Sequence, residues 1–277
     1  MVRCPLTIRL FGPLRVTVCG EPLPRIRARS DEWLLALLAL RHGRAVSRSW
    51  LAGTLWPESG ESRSLQNLRN ALVSLRKALG PEGERLQSPA PDVLTLDLAG
   101  AAVDVLRFDV GIQAGDEQSL RDAVEVYTGP LLEGCVEEWM LAERETRAEQ
   151  CLGALEALAE RLEGRGDHAA AIRYLRRAEA LDPLRDSIAR RLMANLAASG
   201  DPAAAIQVYR DFRNRLQAEL ITAPDEVTTR LFDEIRAAAR ARARDAGHGE
   251  AGRRGRKGPY SPRLRVSVSP RPAFRGR

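Results

Sequence analysis

Apolar and polar positions alternate from Leu6 to Val18 and break at Gly12-Pro13, which predicts a short antiparallel hairpin. A further short strand is expected within Leu23 to Ile26. The period then lengthens. Leu34, Leu35, Leu37, Leu38 and Leu40 form the buried side of a first helix, with Ser30 as its N-cap, Asp31 and Glu32 at its positive end and Gly43 as its stop. Ser47 caps a second helix through about Trp56, ended by Pro57, and the polar connection Glu58 to Ser62 follows. A third helix, about Ser62 to Leu79, carries Leu65, Leu68, Leu72, Leu75 and Leu79 as one narrow stripe and stops at Gly80-Pro81. Beyond it, Arg85 to Leu98 reads as two short strands around Ser88-Pro89-Ala90-Pro91, with Val103 to Phe108 as a candidate for one more.

From Glu117 to Ala239 the chain reads as helix throughout. Gly166-Asp167-His168-Ala169-Ala170-Ala171-Ile172 aligns with Gly200-Asp201-Pro202-Ala203-Ala204-Ala205-Ile206 at an offset of 34, the tetratricopeptide period. The expected organisation is therefore a mainly α chain in three parts. Residues 1–110 form a winged helix-turn-helix with small β-hairpins, residues 111–239 an all-α tetratricopeptide-like domain, and residues 240–277 a disordered arginine-rich tail unable to offset its chain entropy by burial.

Charge sharpens this division. Residues 1–110 hold 15 Lys and Arg against 11 Asp and Glu, residues 111–239 hold 16 against 24, and residues 240–277 hold 12 against 2. A basic front, an acidic middle and a very basic end direct any nucleic-acid contact to the two ends. Turning the leucine stripe of the third helix inward leaves Arg63, Gln66, Asn67, Asn70, Ser74 and Lys77 on the opposite face, with Arg69 and Arg76 on its flanks. Amides and arginines are the side chains that bond adenine and guanine edges in the major groove, and no carboxylate occurs between Arg63 and Leu79 to repel phosphate. The candidate DNA-binding residues are thus Arg63, Gln66, Asn67, Arg69, Asn70, Ser74 and Lys77.

Other chemistry is not indicated. The four cysteines and three histidines lack metal-ligand or disulfide-framework spacing, so reduced structural thiols and no metal are expected. No nucleophile with a base partner and no paired acids stand out, and no phosphate-loop motif occurs, so neither an enzyme nor a cofactor is expected. Trp33, Trp50, Trp56 and Trp139 are read as core packing rather than base-stacking platforms. With no run of about 18 apolar residues and no signal-peptide pattern at the start, the expectation is a cytoplasmic protein with no membrane contact.

The stretch Ser64-Leu65-Gln66-Asn67-Leu68-Arg69-Asn70-Ala71-Leu72-Val73-Ser74-Leu75-Arg76-Lys77-Ala78-Leu79, preceded by Leu55-Trp56-Pro57, resembles the OmpR-type winged helix of the streptomycete antibiotic regulatory proteins. Tyr127-Thr128-Gly129-Pro130-Leu131-Leu132-Glu133-Gly134, Leu181-Asp182-Pro183-Leu184 and Arg191-Leu192-Met193, with Glu219-Leu220, Pro224 and Thr228, resemble the bacterial transcriptional activator domain of that family. The resemblance covers about residues 6–236. It implies an activator that binds tandem repeats in double-stranded promoter DNA, associates with itself there and recruits RNA polymerase. The wing departs from the pattern: Ser88 to Val93 has two prolines and no basic residue, leaving Arg85 as the only substitute for a minor-groove arginine. The rival reading is a protein-interaction scaffold that has lost DNA affinity, or a regulatory fragment related to larger signalling NTPases.

Overall fold

The computed structural model describes residues 6–23 and 28–254. Strands β1 (Leu6–Arg9) and β2 (Arg15–Val18) pair antiparallel, Ile8 opposite Val16, and β3 (Glu21–Pro22) extends them. Cys19 and Gly20, both at positive φ, turn the chain back at once into β3, whereas the strand expected at Leu23 to Ile26 falls on residues 24–27, which lie outside the described residues. Helix α1 (Arg29–Leu40) starts from extended Ala28 with no side-chain cap, so Ser30 is its second residue and not its N-cap. After β4 (Val46–Ser47), Ser47 caps α2 (Arg48–Leu55) by accepting from the Trp50 N–H, as its sequence position predicts. Helix α3 (Glu61–Leu79) buries Leu68, Leu72, Leu75 and Leu79 and ends at Gly80. A 3-10 turn (Gly80–Arg85) leads into β5 (Leu86–Gln87) and β6 (Val93–Leu96), the wing, in a small sheet of order β4-β6-β5.

The strand expected at Val103 to Phe108 is confined to β7 (Ala102–Val103), which pairs parallel with β1 and completes the order β3-β2-β1-β7. Its extension is pre-empted by Asp104. This carboxylate accepts the backbone N–H groups of Leu10 (2.8 Å) and Phe11 (3.0 Å) and opens helix α4 (Asp104–Ala114), which runs through position 110.

Helices α5 (Glu117–Val126), α6 (Glu138–Gly164), α7 (His168–Leu181), α8 (Asp186–Ala198), α9 (Pro202–Glu219) and α10 (Glu226–Arg254) follow. The 34-residue repeat is realised physically. Gly166 and Gly200 take φ of 73° and 90° between paired helices, and Asp167 and Asp201 cap α7 and α9 by accepting from Ala170 N–H (3.0 Å) and Ala204 N–H (2.9 Å). Ala171 and Ala205, one period apart, are both fully buried where the helices meet. Residues 240–254, expected to be structureless, continue α10; the alanines between the arginines are strong helix formers. The rest of the expected disordered tail, 255–277, lies outside the described residues.

The two halves share one core. Phe11, from the β1–β2 turn, packs edge-on to Phe108 of α4 (5.1 Å between centroids) and against Tyr127 after α5 (4.7 Å). The loop Thr128–Glu133 is bonded to that turn: Gly12 N–H donates to Pro130 O (2.9 Å), Leu132 N–H to Leu10 O (2.8 Å) and Glu133 N–H to Gly12 O (2.9 Å). Arg144 of α6 holds the same loop by donating to the carbonyls of Leu131, Leu132 and Cys135, each at 2.9 Å. A charged seam flanks this contact, with His42 Nε2 2.9 Å from Asp109 Oδ2, and Arg147 bonded to both Asp109 and Glu143.

Candidate nucleic-acid interface

Helix α3 can present a face because the stripe that anchors it is narrow. Gly60 starts it without a side-chain cap, Glu61 lies at its positive end, and Arg76 and Lys77 lie at its negative end. Of the expected contacts, Arg63, Gln66, Arg69, Asn70 and Lys77 are exposed, while Asn67 and Ser74 are half-buried on one shoulder. Ser74 hydrogen-bonds the Asp31 carboxyl of α1, whose pKa burial pushes up and this bond pulls down. The structure therefore gives Ser74 a packing contact rather than a place on the open face.

The open face is a line at i, i+4, i+7 and i+11: Gln66, Asn70, Val73 and Lys77, with Arg63 at its head. Val73 is 67% exposed, and reading polarity alone passes over it. The signal that finds it is spacing, since it falls seven residues after Gln66. An exposed methyl pair there suits the thymine methyl group. The amides are prearranged: Arg69 donates to Gln66 Oε1 (3.1 Å), and Gln66 Nε2 donates to Asn70 Oδ1 (3.2 Å). Among the described residues no bond uses the Asn70 Nδ2 group, which keeps two donors for an acceptor on a base edge.

Sequence reasoning also missed Arg48. Its position, the first residue after a cap, gives only a weak signal. Its backbone N–H donates to Asp92 O (2.8 Å), its guanidinium donates to Ser88 Oγ on the wing (2.8 Å), and its Nε is buried without a partner. Burial lowers its pKa first, and the charges of Arg76 and Arg69 lower it further, so three guanidinium groups share one electropositive region. Arg76 also donates to Leu86 O (2.8 Å), tying α3 to β5. Among the described residues, no carboxylate lies within ion-pair distance of Arg48, Arg69 or Arg76. Such a cluster favours an anion beside it, and it places at the wing base the positive charge that the wing tip lacks.

Arg85 does not supply it. Only 4% exposed, it pairs with Glu82 and donates to the carbonyls of Asp97 (3.0 Å) and Ala99 (2.8 Å), so every nearby acceptor is inside the fold. Trp33 is buried and Trp56 and Trp139 pack against the core, but Trp50 is 41% exposed with the Arg41 guanidinium 4.9 Å above its ring, a correction to the core assignment. The expectation of four reduced thiols also needs correction, since Cys19 is disulfide-bonded. Cys135 and Cys151 are free and buried; burial pushes the Cys151 thiol up to about 12, which keeps it unreactive. Among the described residues no group of three His, Cys, Asp or Glu is placed to hold a metal, and no helix is long and apolar enough to cross a membrane.

A phosphate contact at Arg48 carries no sequence information. Arg48→Ala should weaken promoter and random duplexes by the same factor and make the slope of log K against log salt shallower by about 0.9. Fluorescence anisotropy at several salt concentrations measures both; a loss confined to one sequence would move Arg48 to a base-reading role.

The family described as bacterial transcriptional activator domain matches residues 106–236. Regulatory protein AfsR of Streptomyces coelicolor is 32% identical over 230 residues, covering 78% of this chain and 22% of AfsR. Transcriptional regulator RedD of the same organism is 31% identical over 249 residues, covering 82% of this chain and 69% of RedD. The chain thus spans about a quarter or less of the AfsR sequences it matches and two thirds of RedD. The solved structure of Mycobacterium tuberculosis EmbR in complex with a low affinity phosphopeptide superposes with a TM-score of 0.65 at 23% identity. The match covers 85% of this chain and 66% of that one, a likeness of fold.

Proposed function

Since the chain belongs to the streptomycete antibiotic regulatory protein family of transcriptional regulators, we propose that it binds promoter DNA sequence-specifically and activates transcription in the cytoplasm. The observation that carries this reading is the open face of α3, where Arg63, Gln66, Asn70, Val73 and Lys77 form one line with no carboxylate from Arg63 to Leu79. A helix of that kind enters a major groove about 12 Å wide and meets base edges with its N-terminal half. Gln66, Asn67 and Asn70 read bases. Arg48, Arg69, Arg76 and Lys77 hold phosphates on either side, and these contacts set register and orientation. We place the end of the DNA-reading unit at Val103, where β7 closes its sheet and α4 begins.

The acidic helical domain then serves protein contacts, with RNA polymerase or with a neighbouring promoter-bound copy, because paired helices in tandem build a grooved surface. The shared core around Phe11, Phe108 and Tyr127 transmits position between the two functions, so that the site on DNA fixes where the protein-binding surface points. Footprinting the full chain on upstream DNA that it binds is the test. Two protected direct repeats about 10 to 10.5 base pairs apart are expected; a single isolated half-site would contradict side-by-side binding, and uniform coverage without a preferred site would remove sequence-specific reading.

A further inference from the structure

A groove opens where the two halves of the chain meet. One wall is the sheet edge formed by β1 and β7, and the others are α4 and α5. Buried Ile8 and Val103 and half-buried Leu106 and Val126 line it, with Ala102 and Val110 exposed beside them. Its volume is about 680 Å³, within the roughly 300 to 1,000 Å³ of small-molecule sites. The helical walls are fixed to each other at Gly111, where an added Cβ would lie 2.5 Å from Ser119 O. The groove is therefore preformed, and small Ala102 on the strand side leaves it open.

The charges around the groove are already matched. Arg107 of α4 lies 3.8 Å from Asp122 of α5. Asp104 accepts the N–H groups of Leu10, Phe11 and Val105 and lies within the field of Arg9. Glu125 is exposed, so water and salt screen it. An ionic ligand would have to compete with these pairings, whereas an uncharged one leaves them intact. What stays unmatched is apolar surface and hydroxyl groups. Val110 is 66% exposed, and among the described residues no bond uses the Thr7 hydroxyl. The Thr128 hydroxyl donates to Phe11 O (3.1 Å) and keeps its lone pairs for a donor. Such a lining suits an apolar body with one or two hydrogen-bonding groups. A protein partner suits it less well, because a stable interface takes about 20 to 30 residues a side, and Val110 is the large exposed apolar side chain here.

We propose that this groove binds a small, neutral, mainly apolar organic molecule, held by both halves of the chain at once. Thr7, Ile8 and Ala102 come from the sheet of the DNA-reading unit, and Leu106, Val110 and Val126 from the first two helices after it. A ligand that touches both sets is bound fully only while they are docked, so its binding stabilises the docked arrangement by mass action. The site is separate from the open face of α3 and stands whether or not that face reads bases.

The test uses the full chain and two fluorescent probes of the same aromatic skeleton, neutral phenylnaphthylamine and anionic anilinonaphthalene sulfonate. Two variants fill the groove from opposite walls, Val110→Trp from α4 and Ala102→Phe from β7. Both positions are exposed, so neither new ring has to enter the core, and circular dichroism checks the fold of each. The wild type should bind the neutral probe saturably, one molecule per chain and at least as tightly as the anionic one, and should unfold at a higher temperature in its presence. Each variant should bind the neutral probe about tenfold or more weakly, since a bulky side chain in occupied space forces a shift of one or the other. Unchanged binding of the neutral probe by both folded variants overturns the site, as does a wild type that binds neither probe. Binding of the anionic probe alone overturns the ligand class. A wild-type chain that associates through this face, seen as an oligomer in sedimentation that either variant dissociates, assigns the groove to a second copy and overturns the proposal.

Discussion

Replacing Phe108 by alanine should destabilise the protein by about 4 kcal/mol, the usual loss for a fully buried aromatic ring in a core that cannot collapse around the gap. The ring fills the space between Phe11 and Tyr127, and those neighbours are fixed by the backbone bonds between the β1–β2 turn and the loop Thr128–Glu133. Because Phe108 lies where the DNA-reading unit meets the helical domain, the variant should also separate their unfolding. Urea titration followed by tryptophan fluorescence and by circular dichroism should give coincident transitions for the wild type and displaced ones for Phe108→Ala. Two residues on, Val110→Ala is the control. That side chain is 66% exposed, and its loss should change stability by no more than about 0.5 kcal/mol. Equal effects from the two substitutions would mean that the shared core does not couple the halves.

Asp104→Ala should cost about 3 kcal/mol, because it leaves the N–H groups of Leu10 and Phe11 inside the junction without an acceptor. Its pH dependence has an unusual sign. Burial raises the Asp104 carboxyl above its ordinary value more than the three backbone N–H groups and Arg9 lower it. A carboxyl with a raised folded pKa binds more protons in the folded than in the unfolded state. Its contribution is therefore largest below the unfolded value of 3.8 and declines as pH rises through the folded value. The wild-type minus variant difference should widen as pH falls toward 4, where a paired carboxylate of lowered pKa, such as Asp225, would make it narrow. Thermal unfolding of both proteins between pH 4 and 7 measures this, and a difference that shrinks on acidification would contradict the assignment.

Much of this architecture was legible because it rests on local pattern. The leucine spacing of α3, the Ser47 cap and the Gly-Asp repeat at 166 and 200 are each decided within a few residues, and each appears where its spacing predicts. What was not legible depends on distant partners. Asp104 meets Leu10 across 94 positions, so nothing near it in sequence says that it ends a strand and starts a helix. Arg85 and Ser74 are polar and looked available. One is enclosed by Glu82 and two carbonyls, and the other is turned to Asp31, contacts that helical phase alone does not reveal. Arg48 and Val73 were missed for the opposite reason, since the place of half-buried Arg48 against the wing and the exposure of Val73 on the α3 line, not residue type, make each a candidate contact. In α10, the arginine excess is plain, but composition suggests disorder where the helix runs on through the alanines between Arg236 and Arg244 and continues to Arg254.

The central claim is that the exposed line on α3 reads base sequence. Selection of duplexes from a random pool by the full chain, repeated with Asn70→Ala, tests it most directly. The wild type should enrich one motif as a direct repeat. The variant should lose preference at one position in each repeat, a discrimination worth about 1 to 3 kcal/mol, while enriching the rest of the motif unchanged. An identical motif from both proteins, or no enriched sequence from either, would contradict the claim.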